Sequence, residues 1–458
     1  MPQEPAELAL AALGAVPGLV VRTEPEELAA HRLDRALDPR AGTPLAVVRP
    51  RTTAQVAEVV RVAAAHGLPV VPRGAGSGLS GGASAVDGGL VLCLADMIDV
   101  EIDPTTLTAT VQPGVVNADL KAAAAEHGLW YPPDPASFTF STIGGNVATN
   151  AGGLCCVKYG VTTDYVLGLE VVLADGSVVE LGGKLLKEAA GLSLMKLFVG
   201  SEGTLGVITR IVLRLIPLPP PATTLVATFA DLGAACTAVV RTTATMRPAM
   251  LELMDAASIN AVEDVHGYGL DRGAAAMIIA QSDQPGEAAA SETAAIARIC
   301  EDLGATEVLV TGDPELGATY AAARRNAIPA VETKGRLLLG DVGVPIPRLG
   351  ALVTGIAGIA DAHGVTIALI AHAGDGNTHP LVVCDAEDAA QQQHAETAYG
   401  EVMDLAIRLG GTITGEHGVG RTKKAWLPGY VGDAVVDLNR RVKQALDPQG
   451  IFNPGAIL

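Results

Sequence analysis

Residues 68–82, "LPVVPRGAGSGLSGG", followed by residues 88–97, "GGLVLCLADM", decide how this chain folds. "LPVVPR" is an apolar run that reads as a strand, and the glycines begin where it ends. Gly76, Gly78 and Gly81 satisfy G-x-G-x-x-G, a spacing that on a doubly wound scaffold opens a helix whose N-terminus holds a pyrophosphate. Here a second strand follows instead of a helix, so that scaffold is excluded. The loop reads as a nest of backbone N–H groups with no side chains in the way, suited to a pyrophosphate on a different fold. Upstream, Thr52-Thr53-Ala54-Gln55 has capping-box form, Val56, Val59, Val60 and Ala63 follow at helical spacing, and Gly67 ends the helix.

Two further glycine-rich stretches point to a large ligand. Residues 132–153, "PPDPASFTFSTIGGNVATNAGG", are too long and too rich in proline and hydroxyls for a regular element. Long structured loops in compact domains are usually functional. Residues 197–209, "LFVGSEGTLGVIT", place Gly200, Gly203 and Gly206 before a β-rich run.

Chemistry concentrates near the C-terminal end, in "HAGDGNTH" (residues 372–379) and "GEHGVG" (residues 415–420). "VTIALIAH" reads as a strand, "GDGN" as a turn and "THPLVVCD" as the returning strand. A turn over residues 374–377 puts Ala373 opposite Thr378 and His372 directly opposite His379. Cross-strand Cβ atoms lie about 4.5–5.5 Å apart, so both rings could reach one ion. Two opposed imidazoles can equally form a hydrogen-bonded pair. Glu416 or His417 could complete a three-ligand metal site with an open position, as catalytic metals have. Adjacent side chains of a strand face opposite ways, so residues 415–418 must bend for both to serve one site.

The frame is that of a multi-domain globular enzyme. The chain has 458 residues, too many for one core. No apolar run reaches the ~20 residues of a membrane span. The first twenty residues are acidic and lack a basic n-region, so no secretory signal is read. The formal net charge of −19 argues against nucleic acid and anionic lipid as partners. The six cysteines contain no Cys-x-x-Cys, which excludes an iron–sulfur ligand run and a zinc ribbon and suits free thiols in a reducing cytoplasm.

"VVPRGAGSGLSGG", "PPDPASFTFSTIGGNVATNAGG", "GSEGTLGVIT", "HAGDGNTH", "GEHGVG" and the closing "DPQGIFNPGAIL" occur in an order that resembles the FAD-linked oxidase family. The resemblance is nearest to glycolate oxidase flavin subunits and D-lactate dehydrogenases, and it covers the chain from about residue 43 to its end. It implies an α+β architecture: a two-subdomain FAD-binding domain of the vanillyl-alcohol oxidase type, plus an α+β cap domain with an antiparallel sheet. The implied division is a helical lead-in without chemistry (1–40), the FAD domain (41–217), a cap carrying substrate and metal sites (218–425), and a C-terminal return to the FAD domain (426–458).

Carried over by position, the resemblance implies a pyrophosphate on Arg73, Gly74, Ala75, Gly76, Ser77 and Gly78. Pro133, Asp134, Ser137, Thr142, Gly144, Gly145 and Asn146 would line the flavin. Glu202, Gly206 and Ile208 would form the adenosine-side wall, and Asn453 would join the FAD site from the C-terminal return. Relatives that attach FAD covalently from this loop carry His near the position of Ser77, so FAD here is expected to be non-covalent. His372, His379 and Glu416 would hold a divalent metal, Zn²⁺ by default with Mn²⁺ or Fe²⁺ as alternatives. His417 would be the base and Arg324 the partner of the substrate carboxylate. A surface arginine on a helix is the competing reading of Arg324.

The implied reaction is oxidation of a small D-2-hydroxy acid such as D-lactate or glycolate, with hydride passing to flavin N5. Relatives that take hydroxyglutarate tend to carry polar residues after the second metal histidine and in the strand near residues 339–341. Here these positions read Pro380-Leu381 and "LLLGDVGVP" (residues 337–345), which favours a small or apolar side group. Alternatives are a D-2-hydroxyglutarate dehydrogenase, a metal-free oxidase of aldoses or phenols, or a flavin subunit active only with an iron–sulfur partner. The electron acceptor, a protein or a quinone, is left unassigned.

Overall fold

The computed structural model describes residues 3–458; Met1 and Pro2 of the expected lead-in lie outside the described residues. The chain forms two compact units, one of residues 3–151, 161–218 and 416–458, the other of Gly152–Gly160 and Pro219–Gly415. The second unit ends at Gly415, and residues 416–458, beginning with the Glu416-His417 pair, belong to the first.

The first unit holds two sheets. In the smaller, Val20–Arg22 pairs antiparallel with Ala46–Arg49, which runs parallel to Leu90–Cys93, which runs parallel to Val70–Arg73. The lead-in therefore contributes an edge strand as well as the helices Gln3–Gly14 and Pro25–Ala30. Helix Thr53–His66 starts as its sequence indicates: Thr52 accepts the Gln55 N–H at 3.2 Å, and Gly67 closes the helix in the left-handed conformation. Its Val56, Val59, Val60 and Ala63 are buried with Val70, Leu90 and Leu92 of the first sheet and with Val172 and Val207 of the second. That second sheet is antiparallel, in the order Val100–Asp103, Thr108–Val111, Val207–Arg214, Val166–Val172, Val178–Gly182. The C-terminal segment returns to the edge of Val70–Arg73, where Val70 and Asn453 exchange backbone bonds with Ile451 and Val70 at 2.7 and 2.8 Å.

The second unit is one eight-stranded antiparallel sheet. Its order is Ala305–Thr311, Thr223–Phe229, Ala276–Ser282, Met250–Asp255, Thr366–His372, Asn377–Cys384, Arg336–Leu339, with Val342–Gly343 also paired to Asn377–Cys384. One face packs Met250, Met254, Ile370 and Leu381 against helices Ala256–His266, Pro314–Arg325 and Ala327–Glu332. On the other, Val382 and Cys384 meet Ala395 and Ala398 of helix Ala389–Arg408. Alternate residues of a strand share a face, so each strand serves both layers.

Candidate active site

The face of the eight-stranded sheet that packs against helices Ala256–His266 and Pro314–Arg325 carries Glu252, His372 and His379, which share strand parity with Met254, Ile370 and Leu381. The hairpin register differs from the expected one. His372 pairs with Asn377 and His379 with Ile370, so the two histidines are diagonal neighbours rather than directly opposed. The cause lies in the turn. Asp375 and Gly376 both donate to the His372 carbonyl, at 3.3 and 3.2 Å, and the Asp375 carboxylate accepts the Asn377 N–H at 3.1 Å. The turn therefore closes over residues 373–376, one residue early. Both imidazoles remain on one face, with ring centroids 5.1 Å apart and planes at 89°. Gly374 is required here, because a Cβ would lie 2.6 Å from Val157 Cγ2 while its N–H is held by the Leu251 carbonyl at 2.9 Å.

Around the histidines is a buried polar chain. His372 Nδ1 lies 2.9 Å from Glu252 Oε1, and Glu252 Oε2 lies 2.7 Å from Arg324 Nε. Glu252, His372 and Arg324 are all buried, Arg324 at 2% exposure, which rules out its reading as a surface arginine. An imidazole that donates Nδ1–H to a carboxylate presents Nε2 as its lone-pair nitrogen, the arrangement common to metal-bound histidines. With Nε on Glu252, the terminal edge of Arg324 remains for an anion, and its Nη2 is buried without a hydrogen-bond partner. His379 Nδ1 lies 3.8 Å from Asp341 Oδ1, and Asp341 Oδ2 accepts from the Thr414 hydroxyl at 2.6 Å and the Gly415 N–H at 3.0 Å. Two imidazoles of this kind, each beside a buried carboxylate, could ligate a divalent ion. Neither Glu252 nor Asp341 was singled out from the sequence. Glu252 had a signal: in "MLELMD" it occupies the parity of Met250 and Met254, where a charge is expected only if partnered.

In the first unit, residues 416–420 leave regular structure. Gly418 has φ +84°, and the expected bend brings His417 Nε2 to 3.9 Å from Glu416 Oε1. The Glu202 carboxylate accepts N–H from Val419 at 2.8 Å and from Gly420 at 3.1 and 2.9 Å. Burial pushes the Glu202 carboxyl up to about 7, although these donors and the Lys423 cation pull it down. Asn453 donates to the carbonyls of Gly82 and Glu202, both at 2.7 Å, and accepts from Arg421 at 3.0 Å. Both polar ends of the Asn453 amide thus bond within the chain.

The glycine loop, residues 74–82, joins the parallel strands Val70–Arg73 and Leu90–Cys93. Its Gly76 and Gly78 carbonyls accept from the Arg35 and Ala36 amides, both at 3.2 Å, and Asp34 bonds the Ala83 N–H at 3.1 Å. The lead-in is thus part of the loop's support. The Arg73 side chain is buried and donates to the carbonyls of Ala83 (3.1 Å) and Leu33 (2.9 Å), so what residues 73–78 offer a ligand is chiefly backbone. A Cβ on Gly74 would meet Thr142 Oγ1 at 2.2 Å, which places the Pro-rich stretch directly against the loop. There Asn117 bonds Pro133 O (3.2 Å) and Asn146 Oδ1 (3.0 Å), and Thr142 caps helix Ile143–Thr149, which contains Gly144, Gly145 and Asn146. Asp134 is buried, and the Ser137 carbonyl accepts the Ser141 N–H at 2.8 Å. Ile208 pairs with Val171, against which Gly206 also packs. A glycine cradle backed by Thr142, with its carbonyls turned away, fits the phosphates of a dinucleotide.

Residues 218–457 match the family model of the FAD linked oxidases, C-terminal domain, and residues 44–182 match an FAD binding domain. The chain belongs to the FAD-linked oxidase family. It is an FAD-dependent oxidoreductase. This FAD-linked oxidase is 41% identical to glycolate oxidase subunit GlcD of Bacillus subtilis over 415 residues, 90% of this chain and 88% of that one. It is 34% identical to D-lactate dehydrogenase of Archaeoglobus fulgidus over 449 residues, 94% and 95% of the two chains. Among solved structures, p-cresol methylhydroxylase with substrate bound superposes with TM-score 0.79 at 17% identity, covering 99% of this chain and 96% of that one. The flavin fold is therefore of the vanillyl-alcohol oxidase type, as the motifs implied. Among the described residues, no helix is long and apolar enough to cross a membrane.

Proposed function

We propose that this FAD-linked oxidase oxidises a small D-2-hydroxy acid, of the D-lactate or glycolate kind, to the 2-oxo acid. The observation that carries this reading is the buried Arg324–Glu252–His372 chain beside His379. It sets an anion-binding guanidinium and the His372 imidazole on one carboxylate, with the His379 ring beside the latter, which matches the two polar ends of a 2-hydroxy acid. When bound, FAD supplies the hydride acceptor, and a divalent ion held by His372, His379 and Glu416 supplies a charge that favours the alkoxide.

The remaining work falls to side chains. Arg324 takes the substrate carboxylate through its terminal nitrogens, a planar pairing that fixes orientation. His417 accepts the hydroxyl proton at the imidazole, a base whose ordinary pKa lies near neutrality. Glu252 holds the His372 ring by Nδ1 and the Arg324 guanidinium by Nε together. Leu381, on the face that carries His379, and Leu339 beside it in the same core favour a small or apolar substrate side group. The names of the relatives, a glycolate oxidase subunit and a D-lactate dehydrogenase, lend the same class support.

The test is chelation followed by assay with dichlorophenolindophenol. The chelated protein should stay yellow, lose most turnover of D-lactate or glycolate, and recover it with Zn²⁺, Mn²⁺ or Fe²⁺. Full turnover without metal would favour the aldose or phenol class of oxidase. A second reading, suggested by the word "subunit" in the name of a relative, is a flavin chain that needs an iron–sulfur partner. Loss of dye reduction alongside intact flavin reduction by substrate would favour it.

A further inference from the structure

Glu202 is a fully buried carboxylate that the proposed reaction does not use. Its own backbone is unusual, with φ at +49° for a residue that carries a Cβ, and such conformations persist where the surroundings over-determine them. Here the surroundings do so: the Glu202 N–H bonds Ala148 O at 2.8 Å, and its carbonyl accepts from Asn453 at 2.7 Å. The side chain that results is aimed at the backbone of Val419 and Gly420, with no alternative donor needed to satisfy it.

A second group acts on the same stretch from the opposite chemical side. The Ser80 hydroxyl donates to the carbonyls of His417 (3.0 Å) and Gly418 (2.8 Å), and the Ser80 carbonyl accepts from Arg421 at 2.8 Å and Thr422 at 3.2 Å. The approach is close enough that a Cβ on Gly420 would lie 1.9 Å from Ser80 O. Carbonyls of residues 417 and 418 are thus held by Ser80, and amides of residues 419 and 420 by Glu202. The held groups are the peptide units that follow the His417 ring in the chain: its own carbonyl, that of Gly418, and the amides of Val419 and Gly420.

We propose that Glu202 is a positioning residue that clamps the His417 backbone, with Ser80 as its counterpart, rather than a wall of the cofactor site. This rests on the reading of His417 as base. In its ionised form Glu202 is acceptor-only, and both oxygens receive N–H donors; a glutamine would turn an NH₂ toward one of them. The buried Lys423 cation offsets the charge. Displacing a base by about 1 Å can cost about 10²-fold in rate, so the clamp acts on the chemical step and not on affinity.

The experiment uses FAD-loaded protein and the variants Glu202→Gln, Ser80→Ala, His417→Ala and Glu202→Gln/His417→Ala. The expected result for Glu202→Gln is full FAD content, KM near normal, flavin reduction slowed about 10²-fold, and faster amide hydrogen exchange over residues 416–422. In the His417→Ala background, Glu202→Gln should add almost nothing to the rate loss. Ser80→Ala, which leaves the carboxylate in place, should give a smaller change of the same kind and serves if Glu202→Gln does not fold. Loss of FAD with a normal rate per bound flavin, or unchanged exchange over residues 416–422, would overturn the clamp. Near-normal turnover of His417→Ala would instead sink the base reading, and faster exchange in Glu202→Gln would still report the clamp.

Discussion

His372 and His379 stand on paired strands, and there side chain bonds to side chain, His372 and Arg324 both to Glu252. Residues 416–420 have neither strand nor helix, and there the backbone itself is held, by Glu202 and Ser80. The first arrangement takes its precision from sheet register, which fixes which residues share a face. The second takes it from buried polar groups that satisfy individual peptide units. A site on strands tolerates loss of one neighbour better than a loop whose conformation depends on a few bonds.

That contrast can be broken most sharply at His417. His417→Ala should keep FAD and metal and lower kcat by about 10²–10⁴, the usual contribution of a general base, measured by single-turnover flavin reduction. A loss below tenfold would move the base elsewhere.

The next test concerns the loop's buried carboxylate. Glu202 titrates at about 7 in the folded protein against an ordinary 4.5. Below 4.5 it is protonated in both states and imposes no penalty. As pH rises from 4.5 to 7 the unfolded chain ionises first, so stability falls across that window and stays lower above it. The shift corresponds to about 3 kcal/mol. Denaturant titrations at pH 4.5 and 7.5 should show the wild type losing stability relative to Glu202→Gln by an amount of this order. A pH-independent difference would mean that the donors and Lys423 fully offset burial.

On the strand side, Glu252→Gln should lower metal affinity or turnover about 10–100-fold, as loss of a carboxylate behind a ligating histidine does. Metal analysis after dialysis, with kcat and KM, separates the effect on His372 from that on Arg324, which appears in KM. The smallest effect is expected at the turn. Gly374→Ala should destabilise by about 1–2 kcal/mol through crowding with Val157, read as a lowered Tm, with the histidine register kept.

The legibility of the two regions differs in the same way. The cap and stop of helix Thr53–His66 and the strand that follows the glycine loop were readable because propensity and local hydrogen bonds decide them. The hairpin was readable to within one residue, since its alternation is clear while the Asp375 side chain chooses where the turn closes. Motifs supplied His372, His379, Glu416 and His417. Glu252 and Asp341 escaped because each is one carboxylate in an apolar strand or turn, paired with residues far along the chain. The bonds of Ser80 and Glu202 to residues 417–420 were illegible for a stronger reason, although the motif resemblance had named Glu202 for the adenosine-side wall: their partners are peptide groups, which have no sequence signature.

The half-reaction itself is read out by anaerobic mixing of the FAD-loaded protein with D-lactate, L-lactate, glycolate and D-2-hydroxyglutarate while following the oxidised flavin band near ~450 nm. D-lactate or glycolate should bleach it, with L-lactate and D-2-hydroxyglutarate far slower. A yellow protein that no 2-hydroxy acid bleaches, with metal restored, would contradict the half-reaction.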